Sequence, residues 1–424
     1  MSPPLTPARL TVVIGTDTYP GDVNGAAHFT HRLATGLAAR GHRVSVVCGS
    51  DQGPPRTHHV DGVTVHRLRS MPLLVHPTMR AVVPDGVTRR IARLISEVRP
   101  DVVHVQGHFT VGRAALRAAR QAGVRTVATN HFMPENLQQY LPLPPRPRAW
   151  LGELLWRDFR RVFARAGHVT TPTLIAAELL AAHGFHHPVE PVSCGIDLGR
   201  FRPRTGAPPR ARFHLPERDT ALFVGRLDAE KSLDTAVRAL PAAGDLQLVL
   251  AGTGNQRAAL ERLVARLGVG DRVFFLGHVP DAELPLVYAA ADVFVMPGIA
   301  ELQSIATLEA MASGLPVVAA DAVALPHLVR PGHNGRLFAP GDAAALAGHL
   351  RDILGTPGLR TAMGRAGRAA ALRHDHQRSL DHFERIYRGQ TTAVPSPLDA
   401  RARGAGLRLP RQRAEPDTAA RVRR

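Results

Sequence analysis

The strongest constraint in this sequence is an alternation that runs along the chain twice. In the first half, short β-type apolar runs read LTVVIG, RVSVVC, VTVHRL, DVVHVQ, VRTVAT and HVTTP. Stretches of helical pattern separate them. Between the first two runs lies AAHFTHRLATGLAARG, where Phe29, Leu33 and Leu37 recur every fourth residue and Gly41 stands at a helix C-cap position. Apolar runs of this kind alternating with helices predict parallel sheets covered by helices. After VSCGIDLGRFRPRTGAPPRARFHLPERD, a Pro/Arg-rich linker, the pattern restarts with TALFVG, LQLVLAG, RVFFLG, DVFVMP and LPVVAA. A chain of 424 residues also exceeds the roughly 250–300 that one core rarely passes. The expectation is an α/β protein of two doubly wound, Rossmann-like domains, residues 1–195 and 196–375, facing across a cleft. Ligands of such sheets bind at the carboxyl ends of the strands, so the cleft is the expected site.

Charge narrows the partners. The chain carries a formal +18, which favours polyanions or phosphorylated ligands. Aromatic residues make up only 5%, thin for stacking on single-stranded nucleic acid, and no nucleic acid partner is expected. No apolar run approaches the roughly 18–20 residues that span a bilayer, and the N-terminus does not read as a signal peptide. Two cysteines, Cys48 and Cys194, make neither a disulfide framework nor a four-ligand zinc site. The expected location is cytoplasmic. Residues 391–424 are Pro/Arg-rich, with eight arginines against three acids, and predict a disordered basic tail.

Four strand-end turns carry candidate chemistry. TYPGDVNGAAHF places Gly21 and Gly25 just ahead of a helix, where free N–H groups suit an anion or a sugar hydroxyl. His131 follows VRTVAT on the predicted cleft side; a lone histidine there is either structural or functional. Arg226 and Lys231 follow LFVG, and Lys231 is the one lysine among 53 lysines and arginines. A fork of donors and a compact charge beside a helix N-terminus suit a diphosphate; the alternative is two solvated cations. In AELQSIATLEAMASGLPVVA, Glu301 and Glu309 lie eight apart. They suit sugar and ribose hydroxyls, or else Glu301 is a favourable helix-end charge and Glu309 a surface residue. No DxD triplet, no metal-ligand spacing and no G-x-x-x-x-G-K-[ST] occurs, so no metal is expected.

GRLDAEKSLD, AGTGNQRAALERL, FLGHVPDAELPLVYAAADVFVMP, ELQSIATLEAMASGLPVVA and CGIDLGRF together resemble glycosyltransferase family 4, retaining enzymes of the GT-B fold. The resemblance spans roughly residues 10 to 388. It implies a nucleotide-diphosphate sugar as donor substrate, UDP- or GDP-linked, with no further cofactor. It places Arg226 and Lys231 on the donor diphosphate, Glu309 on the ribose and Glu301 on the transferred hexose. Gly25 would bring its backbone to the donor phosphate, and His131 would sit beside the sugar. Gly277 and His278 would lie by the base. Gly252, Ser304 and Ile305 complete the expected donor site. Residues 376–390 resemble the helix that crosses back to the first domain.

The family commonly has an aromatic residue and a glycine where this chain has Gln303 and Ser304; the change bears on which sugar is donated. The resemblance also implies retention at the anomeric carbon without metal, with the acceptor attacking on the face from which the diphosphate leaves. HFMPENL is similar to the lipid-modifying branch, which implies a diacylglycerol or phosphatidylinositol-type acceptor. PRPRAWLGELLWRDFRRVFARAG carries both tryptophans, Trp150 and Trp156, on a helix flanked by Arg157, Arg160, Arg161 and Arg165. Its apolar face, Leu151, Leu154, Leu155, Phe159, Val162 and Phe163, either lies on an anionic membrane or packs on its own sheet. A soluble acceptor, or a basic binding protein without transfer activity, are the competing readings.

Overall fold

The computed structural model describes residues 8–20, 25–72, 80–134 and 143–390. Gly21, the last three residues of HFMPENL and the basic tail lie outside them.

In the first half the apolar runs form β1 (Thr11–Gly15), β2 (Arg43–Gly49), β4 (Val63–Leu68), β7 (Val102–Val105), β8 (Arg125–Thr129) and β9 (His168–Thr171). Two further strands join them, β3 (Arg56–Val60) and β10 (Glu190–Pro191), giving the order β10-β9-β8-β7-β1-β2-β4-β3. All pairs are parallel except β3 with β4. A hairpin of β5 (Ser70–Pro72) and β6 (Arg80–Val82) stands apart. The second half builds β11 (Asp219–Val224), β12 (Leu246–Ala251), β13 (Val273–Gly277), β14 (Val293–Met296), β15 (Val317–Ala320) and β16 (Gly335–Phe338). Their order, β13-β12-β11-β14-β15-β16, is parallel throughout.

Each sheet reverses its strand order beside its first strand, between β1 and β7 and between β11 and β14. Crevices open at such reversals. Helices cover the faces: α1 (Gly25–Ala39), α2 (Val87–Val98), α3 (Thr110–Gln121), α4 (Pro145–Phe163) and α5 (Leu174–Ala182) in the first half. The second half has α6 (Leu233–Ala239), α7 (Arg257–Leu267), α8 (Leu284–Ala289), α9 (Ile305–Ala312), α10 (Leu325–Leu328), α11 (Ala343–Gly355) and α12 (Leu359–Ala371).

The final helix, α13 (His376–Arg388), buries Leu380, Phe383, Ile386 and Tyr387 in a first-half core with Phe29, Leu33 and Leu37 of α1. The chain therefore crosses back, and the two halves are stitched at their flank as well as across the cleft. Arg40, the residue after α1, extends this contact by donating to Glu384 at 2.9 Å and Asp381 at 2.7 Å.

The arginine-rich helix α4 packs on its own sheet. Trp156, Phe159, Val162 and Phe163 are buried in the first-half core, while Leu151, Leu154 and Leu155 are half-buried. Its first turns project outward: Arg146, Arg148 and Trp150 are exposed, Trp150 by 66%. Arg157, Arg161 and Arg165 are exposed further along, and Arg160 turns in to His183 O at 2.5 Å. Among the described residues, no helix is long and apolar enough to cross a membrane.

Candidate active site

Strand ends from both halves meet where the sheets face each other. Thr173, after β9, donates to Leu302 O at 2.9 Å, and Leu302 is buried with Met133 and Ala176. A side chain on Gly25 would meet Ile305 at 3.8 Å. Gly25 and the start of α9 thus form opposing walls.

On the second-half wall the turn after β11 carries Arg226 and Lys231. Arg226 donates to Glu230 at 2.8 Å and pairs with Asp228, also at 2.8 Å. Both acids are buried. Sequence reading did not single them out, yet they fix the plane of the guanidinium. Lys231 ends a single turn of 3₁₀ helix and its ammonium contacts the Glu301 carboxylate. Neither is a solvated surface cation: their side chains are 19% and 16% exposed. The residue after Lys231, Ser232, has φ 46°, a left-handed conformation that side chains adopt at a cost. Beneath these residues the loops after β11 and β12 nearly touch. A Cβ on Gly252, whose φ is 146°, would stand 1.8 Å from the Gly225 carbonyl oxygen. Only glycine fits there.

Glu301 and Glu309 lie on either side of the α9 start. Glu301 is held by Lys231, and its carbonyl accepts from Ala324 N at 3.2 Å. Glu309, 7% exposed, is no surface residue. It accepts from the Tyr288 hydroxyl at 2.9 Å and faces Arg32 of α1 at 3.6 Å. Burial pushes its pKa up to about 7, against the pull of Arg32. Ser304, at the family's glycine position, caps α9 by accepting from Thr307 N. Gln303, at the aromatic position, accepts from Cys194 N at 2.8 Å and donates to Ser193 Oγ at 3.1 Å. It therefore ties the α9 loop to the linker. Gly277 ends β13 with φ 68°, and His278 beyond it is exposed.

On the first-half wall His131 is half-buried against Phe29, with ring centroids 4.8 Å apart, and bonds Gln106 Oε1 at 2.9 Å. Burial lowers its pKa to about 4, so the ring is neutral near pH 7. Behind it Gln106 approaches His104 at 3.3 Å, and His104 bonds Thr129 at 2.6 Å and Tyr387 of α13 at 2.7 Å. His131 is thus the half-buried outer end of a polar chain rooted in the core. Among the described residues, no group of three or more His, Cys, Asp or Glu could hold a metal ion.

These walls have known counterparts. The model for Glycosyltransferase Family 4 matches residues 23–200, and that for Glycosyl transferases group 1 matches residues 210–370. A GDP-mannose-dependent alpha-mannosyltransferase from Mycolicibacterium smegmatis is 32% identical, over 78% of this chain and 84% of that protein. The chain belongs to glycosyltransferase family 4. Within the family it is also similar to a D-inositol 3-phosphate glycosyltransferase from Acidothermus cellulolyticus, 30% identical over 91% of each chain. The fold matches the sucrose-phosphate synthase structure from Thermosynechococcus elongatus with a TM-score of 0.76 at 24% identity, over 89% of this chain and 98% of that one. The architecture is GT-B, and the protein is a glycosyltransferase that uses a nucleotide-sugar donor.

Proposed function

We propose that this glycosyltransferase is retaining and metal-independent, and moves a hexose from a UDP- or GDP-linked donor to a lipid hydroxyl at an anionic membrane surface. The observation that carries the donor half is that Arg226, Lys231 and Glu301 lie on the turns after β11 and β14, followed by α9, which carries Glu309 and faces Gly25. In this reading Lys231 and Arg226 bind the diphosphate, Glu301 a hexose hydroxyl and Glu309 the ribose. Gly252, Ser304 and Ile305 shape the donor pocket, and Gly277 with His278 borders the base.

Cleavage of the bond between the anomeric carbon and the β-phosphate oxygen puts one more negative charge on the already dianionic diphosphate. Two fixed cations at a half-buried site stabilise that charge without solvent reorganisation. Lys231 is held in place by the Glu301 carboxylate. Neutral His131 accepts or donates one hydrogen bond beside the sugar and brings no positive charge to a cationic transition state. The acceptor oxygen bonds to the anomeric carbon on the face the diphosphate leaves, and its proton passes to a phosphate oxygen.

The lipid half rests on the exposed Trp150 with Arg146, Arg148, Arg157 and Arg161 on α4. An exposed indole among arginines suits an anionic interface. A second reading, transfer to a soluble acceptor, is supported by the relative named for D-inositol 3-phosphate. Cosedimentation with phosphatidylglycerol vesicles, followed by transfer assays with GDP-mannose and UDP-glucose, separates them. Labelled glycolipid of retained anomeric configuration supports the lipid reading. Transfer only to D-inositol 3-phosphate, with no vesicle binding, supports the second.

A further inference from the structure

Glu309 has a partner from the opposite half of the molecule. Arg32 projects from α1, in the opposite half of the molecule, and places Nη1 3.6 Å from Glu309 Oε1. Its other terminal nitrogen donates to Gly195 O at 3.1 Å, at the crossover between the halves. The guanidinium is thereby anchored on the linker and aimed at the carboxylate. Arg32 Nε is buried without a hydrogen-bond partner, so the side chain is held in place by its two outer contacts. On the far side Tyr288, itself buried against Phe201 and Phe294, donates to Glu309 Oε2 at 2.9 Å.

We propose that Arg32 is a positioning residue of the donor site: reaching across from the first half of the molecule, it favours the ionised Glu309 carboxylate and orients it to accept the two ribose hydroxyls. The inference rests on the reading of Glu309 as the ribose ligand. Its chemistry is simple. An ionised carboxylate accepts two hydroxyls, whereas a protonated one spends an oxygen as a donor. A carboxyl buried among apolar neighbours tends to keep its proton, and burial pushes Glu309 up to about 7. The charged and titratable groups facing it are Arg32 from α1, Tyr288 from α8, and Asp281 and Arg200 from the second-half surface. Arg200 pairs with Asp281 at 2.5 Å, which leaves Arg32 as the dominant cation. The consequence is that donor affinity depends on the first domain, because Arg32 comes from α1.

The test is calorimetric titration of GDP and UDP into wild type, Arg32→Gln, Arg32→Lys and Glu309→Gln at pH 6, 7.5 and 9. A cation within about 4–6 Å lowers a carboxyl pKa by roughly 1–3 units. Arg32→Gln is therefore expected to weaken nucleotide binding about tenfold or more at pH 7.5 and to recover most of it at pH 9. Arg32→Lys retains affinity, and wild type weakens between pH 7.5 and 6. Equal loss at every pH marks a merely structural role and overturns the proposal, as does tighter binding by Arg32→Gln, which makes Arg32 a competitor of the ribose. If Glu309→Gln binds like wild type throughout, or neither nucleotide binds wild type, the donor-site reading fails and this inference falls with it. If Glu309→Gln is weakened but Arg32→Gln is not, only the inference fails.

Discussion

Gln303 stands where the family commonly has an aromatic residue, and replacing it with alanine tests whether it works as an interdomain tie. Its amide oxygen accepts from Cys194 N at 2.8 Å and its nitrogen donates to Ser193 Oγ at 3.1 Å. Cys194 and Gln303 are both buried, so the variant leaves the Cys194 amide without a partner. An orphaned buried donor costs about 1–3 kcal/mol. Taking about 2 kcal/mol, with every 1.4 kcal/mol worth tenfold, exchange of the Cys194 amide accelerates roughly thirtyfold. Hydrogen exchange followed on peptides spanning residues 190–200 reads this opening locally, independent of whether so long a chain unfolds in one step. Gln303→Glu keeps the acceptor oxygen and should preserve most of the protection. Unchanged exchange in Gln303→Ala would mean that the linker holds itself in place and the tie does nothing.

Three further outcomes are expected. Gly252→Ala drives a Cβ to within 1.8 Å of the Gly225 carbonyl and should lower the melting temperature by several degrees, at a cost of about 2 kcal/mol or more; an unaltered melt would mean the two loops are not packed as described. Glu309 has a folded pKa of about 7, raised from 4.5, so its contribution to stability is fully present below the unfolded value and is lost as pH rises through 7. Wild type should therefore gain about 2–3 kcal/mol from this site between pH 8 and 5, a gain absent from Glu309→Gln in paired denaturant titrations. His131→Ala should cut turnover about 100-fold while nucleotide binding, read by calorimetry, stays within about twofold; because the ring is already neutral above pH 5, the wild-type rate should show no inflection near 6.5 from it.

Much of the fold is legible in the sequence because strands covered on both faces are written as unbroken apolar runs. The eleven quoted runs all became strands. What escaped were strands with little burial to record: β3, RTHHV, whose residues are mostly exposed or half-exposed, and the two- and three-residue strands β10, β5 and β6. β16, GRLF, is short and only its ends are buried. The helix α1 declared itself through Phe29, Leu33 and Leu37, which are buried as their spacing requires. Of the two readings of α4, packing on the sheet holds for Phe159, Val162 and Phe163, whereas Trp150 remains exposed. Periodicity finds an apolar face but does not say which turns of a helix overhang the sheet.

The site was legible as residues and not as pairs. Lys231 stood out by being the single lysine, and Glu301 by its spacing from Glu309, but nothing in the sequence says that Lys231 and Glu301 touch across 70 positions. Asp228 and Glu230 lie in the very turn that drew attention to Arg226, and a carboxylate four residues along a turn was a readable signal. Arg32 carried none, since an arginine in an arginine-rich chain is distinguished only by where α1 aims it. Gln303 was visible as a departure from the family, and its bonds to Ser193 and Cys194 depend on a crossover that only the folded chain brings close.

The proposed donor site depends above all on Lys231 as the clamp of the diphosphate. Thermal unfolding of wild type and Lys231→Ala, each with UDP, GDP and ADP, tests it most directly. Because Lys231 also contacts Glu301, the informative quantity is the shift that nucleotide induces in each protein, not the melting temperature itself. A ligand at about 100 times its dissociation constant adds roughly 2.7 kcal/mol, enough to move a domain's midpoint by several degrees. One nucleotide should raise the midpoint of wild type and leave that of the variant in place. Equal shifts in both proteins, or none in either, would contradict the assignment.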